Sequence, residues 1–248
     1  HLSIRRQRQM CIRDRYRAWK DADLVALCDI NVELLRKIAK EYDVKKTYRD
    51  YREMLKNDAV QAVSVCLPNY LHHPVTIACL KAGRHVICEK PPALNASQAQ
   101  EMANTAKTEN RVLMYALMQR FGAESSYLKT YVESGDLGEI YFGETAYVRR
   151  RGIPIGSGGW FVDRDRSGGG ALIDIGVHAL DLAWWLMGNP KPTAVSGLIY
   201  QKFASTVPRS VKYTVDDAAF ALIRFATGAS LILKTTWAPV SYTHLRAH

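Results

Sequence analysis

Three side chains in this sequence form a set that could move a hydride and a proton together. Lys90 stands in Glu89-Lys90-Pro91, directly after the apolar run His85-Val-Ile-Cys. Further along, Gly168-Gly-Gly-Ala-Leu-Ile-Asp174-Ile-Gly-Val-His178-Ala-Leu-Asp181 puts an acid and a histidine four residues apart, on one face of a helix. A lysine ammonium favours an alkoxide as it forms. An imidazole can carry the hydroxyl proton while a carboxylate fixes its tautomer. Such a set suits proton-coupled hydride transfer at a carbinol carbon. Each residue also has an ordinary reading. A strand-end lysine is usually a solvated surface residue, and an acid and a histidine on one helix are more often a cap and a hydrogen-bonded core residue. No third ligand follows from the spacing, so no metal site is expected.

The elements that must hold these residues follow from hydrophobic pattern. Residues 24–28, 60–67, 85–89 and 111–116 read as strands. Between them lie helical spacing over 31–42, a short helix near 50–56, and a helix over 73–82 that stops at Gly83. A further helix runs from Asn95 or Ser97 to about Glu109. Pro68-Asn69 reads as the break after the second strand. This alternation predicts a parallel, doubly wound sheet over residues 18–120. Ligands of such sheets bind beyond the carboxyl ends of the strands, where Asp29, Pro68-Asn69 and Glu89-Lys90 fall. Asp29 could accept hydrogen bonds from an adenosine ribose or serve as a helix cap. No basic residue follows it until Arg36, which favours NAD, with NADP as the alternative. The glycine fingerprint due about twenty residues before Asp29 is absent. Gly156-Ser-Gly158-Gly159 follows no suitable strand and is a decoy. Gly168-Gly-Gly170 reads as a flexible lead-in to a helix, with N–H groups that could face a ligand.

The pattern changes near residue 120. A helix over 124–133 and another over 174–186 interrupt β-rich stretches at 140–150, 194–201, 218–225 and 229–237, with Thr227-Gly228 as a hairpin turn. Residues 121–240 are therefore expected to form an α+β domain with a largely antiparallel sheet. Leu180, Leu182, Trp184, Trp185 and Leu186 give its second helix an apolar surface suited to core or interface; Asp181 on it reads as structural. Residues 1–17 and 241–248 show neither period and are read as non-native ends. Six arginines against Asp14 in the first of them carry about half of the +10 net charge. What remains is mild, without a basic stripe among aromatics, so no nucleic-acid partner is expected. No apolar run nears the ~20 residues of a membrane span, and no secretory signal is visible. Five cysteines without ligand spacing suit a reducing, cytoplasmic setting.

Pro68-Asn69-Tyr-Leu-His72-His-Pro74, then Ala82-Gly83-Arg-His-Val-Ile-Cys-Glu89-Lys90-Pro91, then the helix after the glycine triplet resemble the Gfo/Idh/MocA oxidoreductases in order and spacing. The resemblance covers nearly all of residues 20–237. It implies a fold of the α/β class: a Rossmann-type sheet, here incomplete, followed by an α+β domain with a mostly antiparallel, open-faced sheet often used for homo-oligomerisation. It also implies NAD or NADP and reversible oxidation of sugars, inositols or related polyols. Carried over by position, Lys90 assists catalysis and contacts nicotinamide and substrate, Asp174 is a substrate-binding acid, and His178 is the general acid/base. Pro68, Asn69, His72, Glu89 and Pro91 fall on the cofactor side; Arg120 and Trp160 fall at the substrate pocket. The chain departs from the family in its missing first strand and glycine fingerprint and in an early stop of the second sheet. Taken by itself it is therefore expected to bind dinucleotide poorly. Two other readings share these residues: a non-catalytic dinucleotide sensor and an NAD-assisted glycosidase. The joint presence of Lys90, Asp174 and His178 favours a dehydrogenase.

Overall fold

A computed structural model describes residues 20–149 and 152–238. The proposed non-native ends, and the position where a glycine fingerprint was sought, lie outside the described residues. The chain divides into two compact units. Of the described residues, the first holds 20–67, 71–89 and 96–114; the second holds 68–70, 90–95, 115–149 and 152–238.

The first unit alternates strand and helix: β1 (Ala26–Cys28), α1 (Val32–Glu41), β2 (Lys46–Tyr48), α2 (Tyr51–Leu55), β3 (Ala62–Val65), α3 (Asn69–Lys81), β4 (His85–Cys88), α4 (Ala96–Thr108) and β5 (Leu113–Tyr115). The β1–β2 and β3–β4 pairings are parallel. The sheet comes in two pieces, β1-β2 and β3-β4-β5.

Caps set the helix boundaries. Asn31 caps α1 by accepting from the Leu34 N–H at 3.0 Å, and Leu35 and Ile38 turn inward. Asp50 caps α2 through the Arg52 N–H at 2.9 Å. Helix α3 begins four residues before the expected start and contains Pro74. Pro68-Asn69 is thus a helix start rather than a break. Proline early in a helix forfeits only one ladder bond, and His72 Nε2, 2.8 Å from the Leu67 carbonyl, ties the preceding turn to the helix. Its other end is as expected. Gly83 takes φ +76°, and the Arg84 and Gly83 N–H groups close on Cys79 and Leu80 carbonyls at 3.0 and 2.8 Å.

The second unit runs α5 (Ala123–Glu133), β6 (Phe142–Val148), α6 (Arg164–Ser167), a π-helical turn (Leu172–Gly176), α7 (Val177–Leu186), β7 (Pro192–Tyr200), β8 (Ala218–Phe225) and β9 (Ser230–Thr236). Its sheet has the order β6-β9-β8-β7. The β7–β8 and β8–β9 pairings are antiparallel as expected, whereas β6 lies parallel to β9. Period-2 patterning reports a strand's faces and not its partner's direction, so this pairing was not readable. One face of the sheet is covered: Ile223, Phe225 and Leu231 pack against Leu180, Ala183 and Trp184 of α7. The other is open, with Phe142, Leu198, Phe220 and Leu222 exposed.

Candidate active site

The helix that carries the acid and the histidine starts on a built platform. Asp216, just before β8, turns its carboxylate onto the helix start, accepting from the Gly170 N–H at 2.8 Å and the Leu172 N–H at 2.9 Å. Its carbonyl accepts from the Ala171 N–H at 3.0 Å. Three donors that a helix start leaves orphaned are thereby satisfied, with a negative charge at the positive end of the dipole. Gly170 must be glycine, because a Cβ there would lie 1.7 Å from the Asp216 carbonyl oxygen. Gly168 has φ +84°, and a Cβ would sit 2.9 Å from Leu94 backbone atoms. The expectation of a flexible glycine triplet with N–H groups for a ligand is corrected here. The triplet is tightly packed, and the N–H groups of the helix start serve Asp216.

The π-helical turn then inserts Asp174 into the interior; π turns are frequent at functional sites. Asp174 is buried, and both its oxygens are engaged. Oδ1 accepts from Lys90 Nζ at 2.8 Å, and the same ammonium gives a second proton to the Asp174 carbonyl at 2.7 Å. Oδ2 accepts from the Trp237 indole N–H at 3.0 Å and lies 3.6 Å from Arg149 Nη1. Burial pushes the Asp174 carboxyl up, but the Lys90 ammonium, Arg149 and the indole N–H outweigh it and hold the group below the usual carboxylate range. The Lys90 side chain is 8% exposed. Burying an ammonium is tolerable only with such compensation.

His178 follows in the first turn of α7 and is buried. Its ring centroid lies 6.4 Å from that of Tyr147, tilted by 48°. The Tyr147 hydroxyl accepts from Arg149 Nη2 at 3.4 Å, and that guanidinium lies over the phenol ring. Lys90, Asp174, His178, Tyr147 and Arg149 thus form a continuous neighbourhood within the second unit.

The other expected site residues fall as follows. Asn69, in the second unit, is buried and donates from Nδ2 to the Ser167 carbonyl at 2.8 Å, bracing the turn ahead of the glycine triplet. Pro91 is buried beside Lys90 in sequence, and the Lys90–Pro91 peptide is cis. In the first unit, Glu89 continues the β3–β4 pairing through its N–H to the Val65 carbonyl at 3.0 Å. Asp29 ends β1 and accepts the Asn31 N–H at 2.7 Å, so one of its oxygens supports the helix cap. Arg120 grips Asp181 with a two-pronged pair, Nε to Oδ2 at 2.7 Å and Nη2 to Oδ1, and lies over Trp185. Trp160 is packed edge-on to Phe161 and 3% exposed. Sequence reasoning did not name Arg149, Trp237 or Asp216. The signals were slight: two acids before an apolar strand, an arginine past a strand end and a tryptophan at another. Among the described residues, no group of three or more His, Cys, Asp or Glu could hold a metal ion, and no helix is long and apolar enough to cross a membrane.

Comparison with known proteins agrees with this architecture. The model of the oxidoreductase family with an NAD-binding Rossmann fold, Gfo/Idh/MocA, matches residues 6–117. The model of the GFO/IDH/MocA C-terminal domain matches residues 126–247. The chain belongs to the Gfo/Idh/MocA oxidoreductase family. Over 229 residues it is 38% identical to the D-glucoside 3-dehydrogenase of Escherichia coli K12, covering 88% of this chain and 64% of that protein. It is 29% identical to the myo-inositol 2-dehydrogenase of Thermotoga maritima, covering 84% of this chain and 59% of the relative. Among solved structures, the aldose-aldose oxidoreductase of Caulobacter crescentus complexed with glycerol superposes with a TM-score of 0.82 at 27% identity, over 92% of this chain and 67% of that one. Levoglucosan dehydrogenase in complex with NADH and levoglucosan gives a TM-score of 0.78 at 28% identity, over 88% and 58%. The chain thus spans somewhat less than two thirds of the curated relatives it matches.

Proposed function

We propose that the protein is an NAD-dependent dehydrogenase that oxidises a secondary hydroxyl on the ring of a cyclic polyol, a glycoside or an inositol. The observation that carries this reading is the buried Lys90 ammonium, fixed by two bonds to Asp174 one helical turn from His178. The names of the relatives, D-glucoside 3-dehydrogenase, levoglucosan dehydrogenase and myo-inositol 2-dehydrogenase, support the ring-polyol class.

The donor set fits a nicotinamide dinucleotide. Asp29 ends β1 with an acid suited to ribose hydroxyls, which favours NAD over NADP. Pro68, Asn69, His72, Glu89 and Pro91 would serve its nicotinamide side. When bound, NAD supplies the acceptor for the hydride that leaves the carbinol carbon. The chain's own residues handle the rest. Lys90 has three ammonium protons, two of them committed to Asp174; the third can be donated as a hydrogen bond to the substrate hydroxyl oxygen, where negative charge grows as the hydroxyl proton leaves and before the hydride carries it away. His178 takes the hydroxyl proton, so a secondary alcohol and NAD⁺ become a ketone, NADH and a proton. Asp174 holds the ammonium in place.

Arg120 and Trp160 are the further residues we assign to the substrate side. The open face bearing Phe142, Leu198, Phe220 and Leu222 suits a second copy of the chain in a homo-oligomer. A cytoplasmic setting is supported by Cys28, Cys79 and Cys88, which stand as thiols among the described residues. Burial pushes the Cys79 and Cys88 thiols up to about 12, so neither is a nucleophile at neutral pH.

The test is a panel of glucosides, levoglucosan and inositols offered with NAD⁺ to the longest form of the protein its gene encodes. The expected result is NADH in step with a keto product. Release of free sugar with no net NADH would replace the reading with the glycosidase one. NAD binding without turnover of any ring polyol would replace it with the sensor.

A further inference from the structure

The Lys90–Asp174 pair is only half of a four-member arrangement. Asp174 has two oxygens, and Lys90 uses one of them. A carboxylate held at one oxygen can still swing about its Cα–Cβ bond and carry the ammonium with it. Here the second oxygen is pinned from two directions, by Trp237 Nε1 at 3.0 Å and by Arg149 Nη1 at 3.6 Å. Trp237 is itself fully buried in a cluster with Val162, Ala171, Ile175 and Val215. Ala171 directly precedes the π-helical turn that presents Asp174 and Ile175 lies within it, so the indole is braced by the element whose acid it binds. Arg149 lies at the end of β6 and is partly exposed, and its other contacts run to Tyr147 beside His178.

We propose that Trp237 and Arg149 are positioning residues that lock the Asp174 carboxylate in one orientation and thereby fix where the Lys90 ammonium points. This rests on the dehydrogenase reading for its effect on turnover, but not for its effect on Asp174. Packing alone would not require the indole N–H, since phenylalanine fills most of the same apolar space. A donor aimed at a buried carboxylate does more than fill it. Removing that donor leaves the acid's charge less compensated, which favours its protonated form.

The experiment follows the Asp174 carboxyl directly. With ¹³C-labelled aspartate, its titration is compared in the wild type, Trp237→Phe and Arg149→Gln. The proposal expects the midpoint to move to higher pH by about one unit on loss of the indole donor, and in the same direction on loss of the guanidinium. An unmoved titration in both variants overturns it, even if Trp237→Phe is less stable, because that is the outcome of a purely structural role. Where Trp237→Phe fails to fold, Arg149→Gln at its partly exposed position decides alone.

A second arm measures turnover. Trp237→Phe should lower kcat about tenfold with KM little changed, and the loss should largely vanish in an Asp174→Asn background, since both then act through one carboxylate. Additive losses would overturn the positioning role. Failure of the dehydrogenase reading is separable: the wild type would then oxidise no polyol while the Asp174 titration still moved, and the lock would stand without the reaction.

Discussion

The carboxylates of Asp174 and Asp181 stand seven residues apart, one in the π-helical turn and the other in the helix that continues it, and each holds a cation. Asp181 meets Arg120 in a two-pronged pair whose arginine side chain is 27% exposed and whose other contact is the face of Trp185. Asp174 meets Lys90, Trp237 and Arg149, with lysine and acid both about nine-tenths buried. An arginine fork is satisfied by one carboxylate and can sit at the rim of a fold. A lysine is a point charge, and an acid asked to aim it in the interior needs partners of its own. The difference separates a clamp from a mount: Asp181 fastens two elements of the second unit, whereas Asp174 presents a charge.

The comparison can be broken or sharpened by substitution. The largest effect is expected at His178, beside the Asp174 mount. His178→Ala should cut turnover by ~10²–10⁴-fold and remove an ionisation from the pH–rate profile; an unchanged profile would deny it the proton-transfer role. Next come Lys90→Met and Arg120→Met side by side. Lys90→Met should lose about 10²–10³ in turnover and destabilise by about 3–5 kcal/mol, because Asp174 is left charged and buried. Arg120→Met should destabilise by only about 1–3 kcal/mol in the same denaturant series. Equal losses would erase the distinction between clamp and mount. Asp216→Ala should cost about 1–2 kcal/mol through the uncapped helix start, read as a lower Tm, with turnover falling as Asp174 shifts. A Tm within experimental error of the wild type would contradict the capping role.

The smallest effect is in acid. Asp174 is held below its ordinary value when folded, so its contribution to stability is complete above the unfolded value near ~3.9 and is lost only as pH falls through the lower folded one. The stability gap between wild type and Asp174→Asn should therefore stay constant from neutrality to about pH 5 and narrow only in stronger acid. Narrowing near neutrality would mean that the lysine, arginine and indole do not outweigh burial.

What the sequence disclosed and what it withheld follow from range. Lys90 was legible because a strand end and a following proline are local facts, and Asp174 with His178 because four residues is a helical spacing. The alternation of strand and helix disclosed the first unit, though the short and largely exposed β2 lacked any pattern to find. Asp216 was hidden because its partners at Gly170 and Leu172 lie more than forty residues away. Trp237 and Arg149 were hidden for the same reason, since only the pairing of β6 with β9 brings both to Asp174. Arg120 was named, but its partner Asp181 was read as merely structural, sixty-one residues distant in sequence.

The most direct test of the account is the rate of hydride transfer within the fully loaded complex, measured for wild type and Lys90→Met alongside the cofactor Kd. The account predicts a bound-state rate lower by about a hundredfold or more, with Kd changed only a few-fold, because Lys90 acts on the oxygen that gains charge and not on the grip of the dinucleotide. A Lys90→Met variant that transfers hydride at the wild-type rate would contradict it.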